Sequence, residues 1–192
     1  MLKKAVFGVP VMKILVISDT HGEMPLDIKN RSFDAVIHAG DIGDAALFRS
    51  IDTAAGEKDL YAVYGNTDFV LSAYLPESVS AEIGGARFFV VHNLTAPHRI
   101  LPANESAIAA AKAEIVVFGH THTPLAEERE GRLFINPGSL GKSGLTGRRS
   151  FAEAEMEDSG DVEVNIYDVD SKEKFISKKF NKINGLFKEI QK

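Results

Sequence analysis

Residues 14–22 read Ile-Leu-Val-Ile-Ser-Asp-Thr-His-Gly, a short continuous apolar run that ends in polar residues and glycine, and the chain repeats that form. It recurs at Ala35-Val-Ile37 before His38-Ala-Gly-Asp41, and at Leu60-Tyr-Ala-Val-Tyr64 before Gly65-Asn-Thr-Asp68. It returns at Phe88-Phe-Val-Val91 before His92-Asn93, at Ile115-Val-Val-Phe118 before Gly119-His-Thr-His122, and at Leu133-Phe-Ile135 before Asn136-Pro-Gly-Ser139. Short runs rich in Val and Ile suit strands buried on both faces. Between them, Asp44 is a good N-cap for a face made by Leu47, Phe48, Ile51 and Ala55, with Gly56 as the stop. Residues 103–113, alanine-rich after Pro102, read as a second helix. Residues 152–157 and 162–169 alternate apolar with polar, fitting strands with one wet face, and Gly84-Gly85 and Gly131 fall where hairpin turns belong. The order β-α-β-α-β followed by hairpins predicts an α/β fold, a layered αββα sandwich of two mixed β-sheets flanked by helices.

The 192 residues fit one domain. Residues 1–11 are expected to be an N-terminal extension, residues 12–170 the domain, and residues 171–192 a C-terminal strand or helix tail packed on it. In that tail Ile176, Phe180, Ile183, Phe187 and Ile190 step by 4, 3, 4 and 3, a helical seam that Asn184 and Gly185 weaken. An edge strand near Phe175–Phe180 followed by a short helix fits equally well, and a subunit contact in a homo-oligomer is the alternative role for the tail. The absence of cysteine excludes disulfides, thiolate zinc sites and cysteine nucleophiles. With 22 basic against 27 acidic residues, the net charge of −5 argues against the basic face that broad nucleic-acid binding needs. The most apolar early stretch, residues 5–17, is broken by Pro10 and Lys13 and falls short of the roughly 20 residues of a membrane span. No small-residue cleavage site follows it, so the expected location is cytoplasmic.

The residues after each apolar run carry the chemistry. Open α/β sheets bind ligands beyond the carboxyl ends of their strands. If the chain stays extended there, residues two apart point the same way, so Asp19 with His21, and His120 with His122, each offer a pair of ligands. One such pair alone would be an ordinary solvated loop; a whole series of strand ends is not. Asp19, His21, Asp41, Asn66, His92, His120 and His122 make seven candidate ligands, more than one tetrahedral or octahedral ion accepts. Two divalent metal ions sharing one carboxylate would use them all, with Asp41, from the middle of the set, as the bridge. Mixed imidazole and oxygen donors suit manganese, with nickel, cobalt, iron or zinc as alternatives, and disfavour calcium. His38, inside an apolar run, reads instead as a structural, hydrogen-bonded histidine.

In their order along residues 12–170, Asp-x-His, Gly-Asp, Gly-Asn-x-Asp, a lone His after a strand and Gly-His-Thr-His resemble the calcineurin-like metallophosphoesterase superfamily. The compact size and Asn-Pro-Gly-Ser are similar to its small bacterial and archaeal phosphodiesterase branch. The resemblance implies that one metal takes Asp19, His21 and His122, the other Asn66, His92 and His120, and that Asp41 spans both. It further implies hydrolysis of a small phosphodiester or nucleotide by in-line attack of a hydroxide held between the ions, with Asp41, Asn66 and His92 catalytic. Asp68 is expected to orient a ligand, by preference a histidine. Many members carry a His after Gly-Asn that contacts the phosphoryl oxygen or protonates the leaving group. Here Thr67 stands there, which fits the phosphodiesterase branch and disfavours poor leaving groups. Thr67 and Arg148 are candidates for substrate contact, although Arg148 and Arg149 also read as a solvated pair. Asn93, where glycine is usual, leaves His98 as the alternative to His92. Gly138-Ser-Leu-Gly-Lys-Ser143 imitates the end of a nucleotide-binding P-loop, but Asn136 stands where its first glycine belongs. Two other classes remain, a non-catalytic scaffold like some eukaryotic members and a nuclease. The filled ligand set weighs against the first and Thr67 against the second.

Overall fold

In the computed structural model, which describes residues 11–25, 30–141 and 147–190, each buried run serves two layers at once. Strand β1 (Val11–Ile17) turns Ile14 and Val16 toward a second sheet, and Leu15 and Ile17 toward a helix. The same division holds in β2 (Ala35–His38), where Ala35 and Ile37 face the second sheet while Val36 faces the helix. That helix, α1 (Ala45–Ala55), is capped as its sequence implies. The Asp44 carboxylate accepts the Leu47 N–H at 2.7 Å, and Gly56 (φ 68°) ends it. After β3 (Asp59–Ala62), a single 3-10 turn (Leu71–Ala73) leads to a hairpin of β4 (Ser78–Ile83) and β5 (Ala86–Val91). A two-residue hairpin, β6 (Thr95–Ala96) and β7 (Arg99–Ile100), precedes α2 (Pro102–Ala110). Then follow β8 (Ile115–Val117), β9 (Leu125–Arg129), β10 (Arg132–Asn136), β11 (Ser150–Glu157), β12 (Val162–Asp168), β13 (Lys174–Ile183) and β14 (Leu186–Glu189).

Two mixed sheets result. The seven-stranded one runs β14-β13-β12-β11-β1-β2-β3, with β1, β2 and β3 parallel and the remainder an antiparallel meander. The five-stranded one runs β4-β5-β8-β10-β9, with β5, β8 and β10 parallel. Ile14, Val16, Phe88, Val90, Ile115 and Val117 fill the space between the sheets. On the outer faces Ile51 packs from α1, and Ile108 from α2 onto Phe89, Val116 and Phe134. These are the four layers of the αββα sandwich. No helix among the described residues is long and apolar enough to cross a membrane.

The described part of the C-terminal tail is a hairpin of β13 and β14: the strand expected near Phe175–Phe180 is present, paired on both sides rather than at the edge, and a second strand stands where the helical seam or short helix was expected. Asn184 (φ 52°) and Gly185 (φ 79°) form a tight turn between β13 and β14. Both residues tolerate positive φ, which a two-residue hairpin demands and a helix forbids. The pairing of β12 with β13 also makes residue 170 a hairpin turn rather than a boundary. Strands β4 and β9 escape the sequence reading because they are edge strands. In each, one residue alone is fully buried, Ile83 and Ala126 respectively, so neither contains an apolar run. Residues 1–10 of the expected extension lie outside the described residues.

Phe88, 1% exposed between the sheets, anchors this interior. Phe88→Ala should lower the unfolding free energy by about 3–5 kcal/mol. Urea denaturation should show this as a lower midpoint with an unchanged slope.

Candidate metal centre

The parallel strands β1, β2, β3, β5, β8 and β10 all deliver their carboxyl ends to one edge of the sandwich, and the chain turns sharply as it leaves them. Asp19 (φ 53°), His21 (47°), Asp41 (53°), His120 (64°) and His122 (55°) all have left-handed backbone, a region non-glycine residues rarely occupy. The chain is therefore not extended at Asp-x-His and His-x-His. Each such residue costs on the order of 1 kcal/mol or more, and survives only where its surroundings over-determine it. Those surroundings are visible. The loops after β1 and β2 continue side by side, with Asp19 N–H donating to Gly40 O (2.9 Å) and His21 N–H to Asp41 O (2.9 Å). Gly65 is required, since a Cβ there would fall 2.1 Å from Asp41 Oδ1, and Gly119 likewise leaves room for Ser18 Oγ and Asp19 Oδ2.

Two clusters form around Asp41. In the first, His21 Nε2 and His122 Nε2 face each other at 3.2 Å, Asp19 Oδ1 lies 3.2 Å from His122 Nε2, and Asp41 Oδ2 lies 3.9 Å from His21 Nε2. In the second, Asp41 Oδ1 lies 3.5 Å from His92 Nε2, while Asn66 Oδ1 lies 3.1 Å from His92 Nε2 and 2.8 Å from His120 Nδ1. The two oxygens of one carboxylate thus face two sets of donors. Ligand atoms of Asp19, His21 and His122 lie within 4.8 Å of one another, as do those of Asp19, Asp41 and His92. All seven sequence-predicted ligands meet here, and His120 and His122 divide between the clusters instead of sharing one spot.

The donor chemistry fits cations. Asp19 is fully buried, and its Oδ1 accepts no hydrogen bond. A buried carboxylate oxygen left without a donor is costly unless something positive meets it. His92 donates from Nδ1 to Ala39 O at 2.8 Å, which leaves the Nε2 lone pair aimed into the second cluster. Burial pushes the Asp41 carboxyl up, but the His92 imidazole and the Thr67 N–H (2.9 Å) together hold it well below the usual range. Burial also pulls His92 down, yet the Asp41 and Asp19 carboxylates raise it overall. The Asp19 carboxylate raises His122, whereas burial and the neighbouring His92 lower His120.

Residues around the ligands refine the sequence reading. Asp68 does not orient a histidine. Its carboxylate accepts three backbone N–H groups, from Ile42 (3.0 Å), Gly43 (2.8 Å) and Gly65 (2.9 Å), so it ties the Asp41 loop to the Asn66 loop. Thr67 is exposed at the mouth. Arg148 is not brought to the cluster: its guanidinium lies 5.0 Å from the ring centroid of Phe175 on β13, and Arg149 pairs with Asp170. His92, not His98, lies among the ligands. Lys142 and Ser143 of the P-loop imitation lie outside the described residues. Asn136 and Ser139 brace the site, donating to Gly119 O (2.9 Å) and Asp19 O (2.9 Å) respectively. Thr20, which no motif singles out, donates to Ile42 O at 2.9 Å and meets His38 Nε2 at 3.0 Å.

His38 accepts the Gly40 N–H at Nδ1 (3.2 Å), so the neutral ring donates from Nε2 to Thr20. Burial lowers its pKa from 6.5 to about 4. Between these values the unfolded chain holds a proton here that the folded chain refuses. The stability this residue contributes is complete above pH 6.5 and is lost as pH falls to about 4, in all about 3 kcal/mol. His38→Gln should flatten that part of the stability profile, measured by urea unfolding in the presence of a chelator.

Comparison with known proteins agrees with this geometry. Residues 12–159 match the family model of the calcineurin-like phosphoesterase superfamily domain. The phosphodiesterase MJ0936 of Methanocaldococcus jannaschii is 30% identical over 145 residues, covering 66% of this chain and 83% of that protein. A predicted phosphoesterase of Streptococcus pneumoniae superposes with a TM-score of 0.70 at 26% identity, covering 91% of this chain and 99% of the other. Vacuolar protein sorting 29 of Cryptosporidium parvum shares the fold, with a TM-score of 0.73 at 21% identity over 90% of this chain and 99% of its own. The layered sandwich, the ordered strand-end motifs and the family match give one conclusion: the chain belongs to the calcineurin-like phosphoesterase superfamily.

Proposed function

We propose that the protein is a metal-dependent phosphodiesterase that hydrolyses a small phosphodiester or nucleotide. The observation that carries this reading is the Asp41 carboxylate, whose two oxygens face the separate imidazole clusters. Asp19, His21 and His122 would hold one divalent cation, and Asn66, His92 and His120 the other, with Asp41 common to both. Manganese suits this mixture of imidazole and oxygen donors best. Bound divalent ions supply a nucleophile at neutral pH by lowering the pKa of water, and they neutralise charge on the phosphoryl oxygens.

The chain's own contribution is geometric and electrostatic. Asp41 is held in place by the Thr67 N–H, and His92 is fixed in one tautomer by Ala39 O. Two divalent cations would outweigh the carboxylates of Asp19 and Asp41 and leave the site positive, so that it would attract a phosphate even in an acidic protein. The exposed Thr67 hydroxyl would hydrogen-bond a phosphoryl oxygen but cannot act as a strong acid, so substrates whose leaving group departs without a proton should turn over fastest. The phosphodiesterase among the relatives is in keeping with this assignment.

Two variants test the reading. Asp41→Asn keeps the size and hydrogen-bonding shape of the side chain but removes the shared charge. Its kcat on a generic aryl diester with manganese should fall on the order of a hundredfold or more, with loss of bound metal by elemental analysis. Wild-type turnover by that variant would overturn the role given to Asp41, and no diester hydrolysis by the native chain with any of the divalent metals would overturn the proposal in favour of a scaffold role. Asp68→Ala frees three N–H groups behind the ligand loops, and should weaken metal affinity about 10–100-fold, as outer partners of metal ligands do. A metal titration followed by activity reads this directly.

A further inference from the structure

A cavity of about 390 Å³ lies under α2, at the end of β10 opposite the metal-centre edge. It is walled by the β6–β7 hairpin, α2 and the β9–β10 hairpin, and four basic side chains line it: His98, Arg99, Arg129 and Arg132. Two of them are placed as folding alone would avoid. Arg129 and Arg132 are directly opposite each other in the β9–β10 pair. Both lie on the outer face of the sheet, the side on which Phe134 is covered by α2. Like charges directly across a strand pair are destabilising.

Their surroundings do not cancel the charge. Arg132 donates from Nε to Ala113 O at 3.2 Å, a backbone contact, and its terminal amino groups form no hydrogen bond or ion pair among the described residues. Arg129 forms one ion pair among the described residues, with Glu130 at 3.9 Å, and Glu130 is largely exposed at the turn. Glu127 shares that face of β9 but forms no ion pair with either arginine among the described residues. Arg99 forms neither an ion pair nor a side-chain hydrogen bond among them. Glu105 and Glu130 also line the cavity, so three guanidinium groups stand against two carboxylates. Paired guanidinium forks match the oxygens of a phosphate in a way that single ammonium groups do not.

We infer that this cavity binds a dianionic phosphate, free or as a small monoester, bridged by Arg129 and Arg132 with Arg99 as the third contact. An anion between the two forks converts their repulsion into attraction and accounts for the cross-strand pair. The site is separate from the metal centre and does not depend on the reaction proposed there.

The test is calorimetric titration of the metal-loaded full chain with inorganic phosphate and, separately, with adenosine monophosphate. Arg99→Gln and Arg129→Gln should each weaken one class of binding by about tenfold or more while leaving diesterase kcat unchanged. Asp41→Asn should leave that class intact, which separates it from any phosphate held at the metal centre. Tighter binding of the monoester assigns the organic phosphate as ligand, and equal binding assigns free phosphate. In phosphate-free buffer Arg129→Gln should melt no lower than the native chain, because it removes a repulsion, and phosphate should raise the melting temperature of the native chain more. Titration curves of both arginine variants that superimpose on the native curve would overturn the inference.

Discussion

Asp19 and Asp41 are carboxylates taken out of water at the edge where two sheets meet, and the geometry around them follows from that burial. Neither has enough hydrogen-bond donors for its oxygens: Asp19 Oδ1 has none, and Asp41 Oδ1 accepts one backbone N–H, from Thr67. Burying a charge is expensive unless a partner meets it, and four imidazoles supply only protons or lone pairs. Divalent cations of the kind proposed for this site would resolve both halves of the problem, since they would satisfy the carboxylates and use the lone pairs. The same negative field that raises the pKa of His92 and His122 would make protons compete with a metal ion for those positions.

Such an arrangement needs a rigid frame. Parallel strands from both sheets supply it, because their side chains are packed on both faces and their carboxyl ends cannot drift independently. The loops beyond them are then tied crosswise. Asp68 holds the Asp41 and Asn66 loops together through backbone N–H groups, while Asn136 and Ser139 hold the Gly119 and Asp19 turns from the other sheet. The result is a site whose ligands sit on short turns but inherit the stiffness of the sandwich.

Much of this was legible in the chain itself. Central strands are buried on both faces and so announce themselves as apolar runs, and a ligand set at the carboxyl ends of parallel strands must follow those runs in sequence. Edge strands β4 and β9 face water along one side and carry no such signature. The tail is ambiguous in sequence for a related reason. A spacing of 4, 3, 4, 3 is compatible with a helix, yet Asn184-Gly185 is also a strong hairpin signal, and the pairing partners that decide between them lie elsewhere in the chain. Asp68 and Arg148 show the same limit at the level of side chains. Residue type reveals that a carboxylate or a guanidinium is present, but which neighbour it reaches, backbone amides in one case and the Phe175 ring in the other, depends on tertiary placement.

The left-handed backbone at Asp19 and Asp41 has a consequence for what can replace them. Asparagine enters that conformation at less expense than other uncharged residues with a Cβ. An amide at either position would therefore keep the turn's shape and alter its electrostatics alone, whereas alanine would disturb both together. Sequence drift that extinguishes cation binding can thus proceed through asparagine without unravelling the architecture, leaving a folded shell free to be recruited for contact rather than chemistry.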